Sequence, residues 1–282
     1  YVAMDSADTW ANPWLFKLDE KNCPTQVAGC PPDGFSATGQ LWGNPLYNWE
    51  VHRNSGYEWW IKRIANCFRL YDVVRIDHFR GFDEYYAIPY GDATAENGWW
   101  EKGPGIDLFR AISASLGDRE IIAEDLGYMT DSVKRLVEES GYPNMKVIEF
   151  AFDERDTGNA SDYLPHNYPR NCVVYTGTHD NETLLSWLED ITPAERRQVR
   201  KYLNNFKDSG KELCDDLICL VMQSVANLCI VPMQDYLGLD NSARMNQPST
   251  LGKNWKWRLK EGQFTAELQK EMLELATRYG RR

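Results

Sequence analysis

Short, largely apolar runs recur along the chain and predict buried β-strands. Five such runs are found, at residues 73–76, 121–123, 147–150, 173–176 and 228–231. Strands that are apolar along their whole length are typical of parallel sheets covered on both faces, whereas a strand with one wet face alternates apolar and polar residues. The pattern therefore predicts a parallel sheet.

Segments with helical signals lie between these runs. Apolar residues recur at helical spacing over residues 56–70, and Asp107 is predicted as the N-cap of a helix that ends before Gly117. The sequence of residues 192–195 predicts a helix start with a capping box, with Thr192 as N-cap and Glu195 as its partner. Two further helices are predicted at residues 131–140 and 211–226.

Strands that alternate with helices indicate an α/β fold built from βα units. A closed (β/α)8 barrel needs eight strands, and only five are visible. The pattern therefore leaves two architectures open, an open α/β sheet or a barrel of which part is absent. Residues 1–50 are rich in Pro, Gly and Trp and are predicted to form loops with short elements.

Composition narrows the function classes. A net charge of −11 and a pI near 4.9 disfavour a broad surface for nucleic acid or anionic membrane. No run approaches the roughly 18 apolar residues of a membrane helix, and no signal peptide is visible. The seven cysteines are odd in number and scattered, which is typical of reduced thiols in a cytosolic protein. We therefore expect a cytoplasmic location.

Carboxylates close three of the five predicted strands: Asp77, Glu124 and Asp180. Because the active sites of parallel α/β folds lie at the C-terminal ends of the strands, we expect these groups to converge. Two carboxylates on either side of a bond suit glycosidic cleavage. Arg75 shares a strand face with Asp77 and would keep it ionised as a nucleophile. Glu124 follows a very apolar run and is the better candidate for a raised pKa.

Other interpretations of these residues stay open. A single Asp after a strand is commonly a turn or capping residue. A metal site built from His78, His179 and the carboxylates lacks a ligand spacing such as HExxH. Aromatic side chains make up 13% of the chain, and most are expected in the core. Phe35 and Trp42 lie in a Gly/Pro-rich loop at residues 31–45 and are the better candidates for stacking on a sugar.

Longer motifs around these residues resemble one family, glycoside hydrolase family 77, the 4-alpha-glucanotransferases or amylomaltases. The resemblance covers essentially the whole chain. The matching stretches are YVAMDSADTWANP (1–13), VAGCPPDGFSATGQLWGNPLYNW (27–49), VVRIDHFRGF (73–82), IIAEDLG (121–127), YLPHNYP (163–169), VVYTGTHDNET (173–183) and ARMNQPST (243–250).

The resemblance implies a retaining mechanism on maltooligosaccharides and alpha-1,4-glucans. Asp77 would be the nucleophile, Glu124 the general acid and base, and Asp180 a stabiliser of the transition state. No metal or cofactor is implied. Substrate contacts would come from six further residues: Arg75, His179, Phe35, Gln40, Trp42 and Asn246.

The resemblance also sets expectations about architecture. Residues 1–282 would be the C-terminal part of a single catalytic barrel, covering about strands 4–8 and the end of strand 3, with insertions near 10–50 and 184–226. We expect this part alone to be inactive or poorly folded, since an open barrel exposes strand edges. A plastid location stays open if a transit peptide was lost. Gly34 and Ala37 depart from the family pattern, so the resemblance leaves loop stiffness and acceptor preference undefined but not the reaction type. The alternatives are an alpha-glucan hydrolase and a non-catalytic glucan-binding relative.

Overall fold

The computed structural model describes residues 1–32, 36–127, 129–153, 162–207, 209–248 and 250–281. The strands in these ranges are β1 Gln26–Cys30, β2 Gln40–Pro45, β3 Val74–Ile76, β4 Glu84–Pro89, β5 Trp99–Lys102, β6 Ile121–Ala123, β7 Asn144–Val147, β8 Cys172–Tyr175 and β9 Leu228–Ile230. The α-helices are α1 Ala7–Ala11, α2 Trp49–Asn54, α3 Glu58–Cys67, α4 Ile106–Leu116, α5 Asp131–Ser140, α6 Leu184–Asp190, α7 Pro193–Leu203, α8 Gly210–Met222, α9 Met233–Tyr236 and α10 Ala266–Arg278. The chain divides into two units, Tyr1–Pro143 and Asn144–Arg282.

The first unit contains a parallel strand pair and a separate antiparallel sheet. Strands β3 and β6 run parallel, with Ile76 opposite Ala123. The antiparallel sheet has the strand order β2-β1-β4-β5. The parallel pair confirms two of the predicted strands. The four-stranded sheet was not predicted, because its first two strands lie in the segment that we expected to form loops.

The core of the first unit is aromatic around the segment that follows β3. Phe79 is completely buried. Its ring stacks on Phe109 with 4.8 Å between centroids and meets the edges of Phe82 and Tyr142. Aromatic pairs of this kind add to the stabilisation from buried area. The packing therefore fixes the chain two residues beyond Asp77.

The second unit contains the other three predicted strands, in the order β7-β8-β9, all parallel. Strand β8 is buried along its whole length, as its apolar run predicts. Helices α6 and α8 bury Leu184, Leu188, Leu213 and Leu217 in the same core as Val174 of β8. The α/β class is therefore confirmed, and each of the five predicted runs overlaps a parallel strand, in two separate sets. Strand β9 is not buried as predicted, because Leu228 and Ile230 are 42% and 38% exposed.

Several predicted boundaries need correction. Asp107 is not an N-cap, because helix α4 begins at Ile106 after Gly105, whose φ of 60° and ψ of −149° suit glycine. Asp107 instead lies in the first turn, where a negative charge favours the helix dipole. The strand predicted at residues 147–150 ends at Val147 and turns into a 3-10 helix, Ile148–Phe150.

Other helix predictions are close to the structure. Thr192 and Glu195 form the predicted capping box. The helix predicted at residues 56–70 is α3, which follows Tyr57 in a left-handed conformation. Helix α8 ends at Met222 rather than near residue 226, and the Arg281 guanidinium binds the carbonyl oxygen of Met222 at 2.9 Å. No helix in the described ranges is long and apolar enough to cross a membrane.

Candidate active site

Strands β3 and β6 place Asp77 and Glu124 side by side. Each residue directly follows the last residue of its strand, and those last residues, Ile76 and Ala123, are paired in register. The Glu124 amide donates to the carbonyl oxygen of Ile76 at 3.0 Å, which continues the ladder by one residue. The two predicted carboxylates therefore emerge from the same end of the parallel pair, as expected for C-terminal strand ends.

Asp77 forms an ion pair with Arg75, as the shared strand face predicts. Arg75 Nη1 lies 2.8 Å from Asp77 Oδ1. The Asp77 side chain is 76% exposed and the Arg75 side chain 25% exposed. The arginine is thus anchored against the protein, while the carboxylate faces outward and is accessible to a ligand.

Glu124 is held by two backbone amides. The amide of His78 donates to Oε2 at 2.6 Å, and the amide of Leu126 donates to Oε1 at 2.9 Å. Burial and then the negative charge of Asp77 raise the pKa of the Glu124 carboxyl, and they outweigh the amide hydrogen bonds and Arg75, which act in the opposite direction. The raised pKa was predicted from the apolar run, and the contribution of Asp77 adds a second cause.

His78 connects the two carboxylates through its backbone. It adopts a left-handed conformation with a φ of 50°, which is uncommon for a residue other than glycine. This conformation lets two successive amides meet Glu124, since the Phe79 amide donates to the Glu124 carbonyl oxygen at 2.9 Å. Burial and the nearby Arg80 charge lower the pKa of His78 to about 4. The imidazole is therefore neutral at physiological pH.

Trp42 lies against this site. Its ring meets the His78 ring edge-on, with 4.8 Å between centroids. Its indole Nε1 donates to Gln40 Oε1 at 3.1 Å. Strand β2 thus brings the two predicted substrate contacts, Gln40 and Trp42, next to the residue that follows Asp77. The third predicted contact on this loop, Phe35, lies outside the described residues.

The second unit brings together the other three predicted residues. His179 Nε2 lies 3.2 Å from Asp180 Oδ2. Asn246 Nδ2 donates to Asp180 Oδ1 at 2.6 Å, and the Asn246 amide donates to the His179 carbonyl oxygen at 3.0 Å. The ring of Trp255 covers His179 at 5.3 Å. Each oxygen of the Asp180 carboxylate therefore faces a nitrogen that fixes its direction.

Two further polar residues of this unit, Arg244 and Glu149, were not predicted. Arg244 donates from Nη2 to the Asp180 carbonyl oxygen at 2.6 Å. Glu149 is buried just beyond the end of β7, and its Oε1 has no hydrogen-bond partner among the described residues. Burial, then the charges of Asp235 and Glu182, raise the pKa of Glu149 well above its usual range. A charged residue inside an apolar run was the only sequence signal for Glu149.

The lining of a cavity of about 170 Å³ in this unit includes His179, Glu182 and Arg244. No group of three or more His, Cys, Asp or Glu side chains in the described ranges is arranged to hold a metal ion. The polar side chains that line the cavity can donate and accept hydrogen bonds.

Comparison with known proteins decides the family. The sequence profile described as 4-alpha-glucanotransferase matches residues 1–265. The chain belongs to glycoside hydrolase family 77. The 4-alpha-glucanotransferase of Streptococcus pneumoniae serotype 4 is 50% identical over the whole chain, which covers 55% of that relative. The chain thus spans about half the length of the curated relatives it matches.

Other members agree in sequence and in structure. The 4-alpha-glucanotransferase of Solanum tuberosum, named as chloroplastic/amyloplastic, is 44% identical over the whole chain, which covers 48% of that relative. A solved amylomaltase from Streptococcus agalactiae, in complex with acarbose, superposes with a TM-score of 0.95 at 40% identity. The match covers all of this chain and 56% of that structure. The family resemblance seen in the motifs is confirmed.

Proposed function

We propose that the protein is a 4-alpha-glucanotransferase. It would move segments of alpha-1,4-glucan from a donor maltooligosaccharide to the 4-hydroxyl of an acceptor glucose or glucan. The observation that carries this proposal is the pairing of Asp77 and Glu124 on neighbouring strand ends. One carboxylate is exposed and ion-paired with an arginine, and the other is partly buried and has a raised pKa. A retaining glycosidase needs one carboxyl group of each kind.

In the first half-reaction, an Asp77 carboxylate oxygen attacks the anomeric carbon of the donor. The bond from that carbon to the glycosidic oxygen breaks, and Glu124 gives its proton to the departing 4-oxygen. The products are a covalent glycosyl ester on Asp77 and a shortened sugar. The raised pKa of Glu124 favours the protonated carboxyl group that this step needs.

In the second half-reaction, the 4-hydroxyl of an acceptor sugar attacks the same carbon. Glu124, now a carboxylate, takes the hydroxyl proton, and the ester bond to Asp77 breaks. Both carboxyl groups return to their starting protonation states, so the cycle balances without any cofactor. Water in place of the acceptor would give hydrolysis, which is the competing outcome.

The remaining residues have supporting roles in this proposal. Asp180 stabilises the transition state through sugar hydroxyls, and its carboxylate is oriented for this by His179 and Asn246. Arg75 and His179 contact the sugar at the cleaved end. The acceptor-side and loop contacts are Phe35, Gln40, Trp42 and Asn246. The packing of Trp42 on His78 is consistent with a contact close to Asp77.

We also propose that the five parallel strands belong to a (β/α)8 barrel. Residues 1–282 would supply about strands 4–8 and the end of strand 3 of a single catalytic domain, with insertions near 10–50 and 184–226. The TM-score of 0.95 against 56% of the solved amylomaltase supports this assignment. The location would be the cytoplasm, or a plastid as in the name of the potato relative.

The test is to incubate the intact protein that carries this chain with maltotriose and to separate the products. Transfer produces glucose together with maltodextrins longer than the donor. Shortening alone would identify a hydrolase, and binding of maltooligosaccharides without any product would identify a glucan-binding relative. Asp77→Ala should abolish turnover with unchanged circular dichroism, and retained turnover would refute the nucleophile assignment. Asp118→Ala, at an exposed turn, is the matched control.

A further inference from the structure

Arg244 ties together two chain segments that carry proposed site residues. Its Nη2 donates to the Asp180 carbonyl oxygen at 2.6 Å, and its Nε donates to the Asn246 carbonyl oxygen at 2.9 Å. Its Nη1 lies 3.7 Å from Glu182 Oε1. One guanidinium therefore binds the loop after β8 and the segment around residue 246 at the same time.

These two segments also meet through the Asp180 side chain. The side-chain nitrogen Nδ2 of Asn246 donates to Asp180 Oδ1 at 2.6 Å. That short contact requires the backbone of residue 246 to stay in place relative to the backbone of residue 180. The Arg244 side chain is only 20% exposed, so its stem is held by packing and its planar head is pre-organised.

We propose that Arg244 is a positioning residue for Asp180. It holds the backbones of Asp180 and Asn246 at a fixed distance from each other. The side-chain Nδ2 of Asn246 can then fix the direction of the Asp180 carboxylate. This inference rests on the proposed function, because it assigns Arg244 a part in the reaction through Asp180. The guanidinium itself does not touch the sugar in this role.

The geometry requires arginine rather than any cation. A guanidinium has five N–H donors in a rigid fork, whereas a lysine ammonium is a compact point charge on a flexible stem. A lysine at this position would keep the charge near Glu182 and Glu149 but could not reach two carbonyl oxygens in fixed directions. The lysine variant therefore separates charge from positioning.

The experiment compares transfer from maltotriose by the intact wild-type protein, Arg244→Lys and Arg244→Ala. A loosened Asp180 should lower kcat by about 100-fold, the loss expected when a reacting group is misplaced by about 1 Å, with a much smaller change in KM. Added guanidinium ion should restore part of the kcat of Arg244→Ala and none of that of Arg244→Lys, in which the ammonium occupies the space. Arg197→Ala, an exposed arginine on α7, is the control and should match wild type.

A double-mutant cycle identifies the route of the effect. If Arg244 acts through Asp180, then Asp180→Ala and Asp180→Ala/Arg244→Lys should have the same residual rate, because the second change removes nothing further. The proposal would be overturned if the rate losses of the two single variants multiplied in the double variant, or if Arg244→Lys kept the wild-type kcat. Either result would leave the proposed transferase function intact. An intact wild-type protein without any transfer would instead refute the proposed function, and this inference with it. If Arg244→Ala does not fold, Arg244→Lys alone carries the test.

Discussion

Replacing Asn246 by Asp exchanges an N–H donor for a carboxylate oxygen at almost constant volume. The donor lies 2.6 Å from Asp180 Oδ1, so the variant places two carboxylates in contact. Two unit charges at this distance repel by about 6 kcal/mol at an effective dielectric of about 20, and by about 1.6 kcal/mol in bulk water. Because the Asp180 side chain is 44% exposed, the screened end of this range applies, at about 2 kcal/mol.

A repulsion of about 2 kcal/mol extends the pH range over which the pair keeps one proton by about 1.5 units. The assay is kcat/KM on maltotriose as a function of pH for the wild type, Asn246→Asp and Asn246→Leu. The activity of Asn246→Asp relative to wild type should fall as pH rises, because the shared proton that replaces the Asn246 N–H donor leaves and the two carboxylates then repel each other. Asn246→Leu only removes the donor and should be reduced by a factor that does not depend on pH. Equal pH profiles for the two variants would refute the proposed contact with Asp180.

Three further predictions concern residues in the two units. Glu124→Gln should lower kcat/KM on maltotriose by about 100- to 10,000-fold. It should still carry out the first half-reaction on alpha-maltosyl fluoride, because the fluoride leaving group needs no proton. Equal losses on both donors would contradict the acid role of Glu124. Glu149 has a strongly raised pKa, so wild-type stability is complete below the ordinary value of 4.5 and falls as pH rises through the raised value. Glu149→Gln should therefore match wild type in urea midpoint near pH 4 and exceed it at alkaline pH, and a constant difference would oppose this account. Phe79→Ala should cost about 3–5 kcal/mol of unfolding free energy in urea, with Phe79→Leu less affected, and a loss below about 1 kcal/mol would show that the ring is not a core anchor.

Strands β6 and β8 were predictable because burial of every residue leaves an unbroken apolar run. Strand β8 is the clearest case, since all its residues are buried. The carboxylates after β3 and β6 were predictable for a related reason, because their strand ends are defined by the same runs. The end of β7 was not, since Ile148 and Phe150 continue the apolar pattern into a 3-10 turn. Local pattern cannot distinguish a buried strand from a buried turn.

The antiparallel sheet of the first unit was missed for a different reason. Its strand β5 is largely exposed, and β2 contains Gly43 in a left-handed conformation. Such strands are stabilised by pairing with distant partners, which composition and periodicity along one segment do not report. Arg244 was missed for the same reason. Two of its three contacts, with Asp180 and Glu182, join residues about 60 positions apart in the sequence, and only the contact with Asn246 is local.

The backbone linkage between Asp77 and Glu124 has a consequence for timing. The amides of His78 and Phe79, directly after Asp77, are bound to Glu124, so a displacement of one residue carries the other with it. In a two-step transfer the glycosyl ester must survive while one sugar diffuses away and another arrives. Glu124 must lie in the same position when it gives its proton in the first half-reaction and when it takes one in the second. In the proposed reaction, this link would keep the two carboxyl groups aligned while the glycosyl ester on Asp77 persists between the departure of one sugar and the arrival of the next.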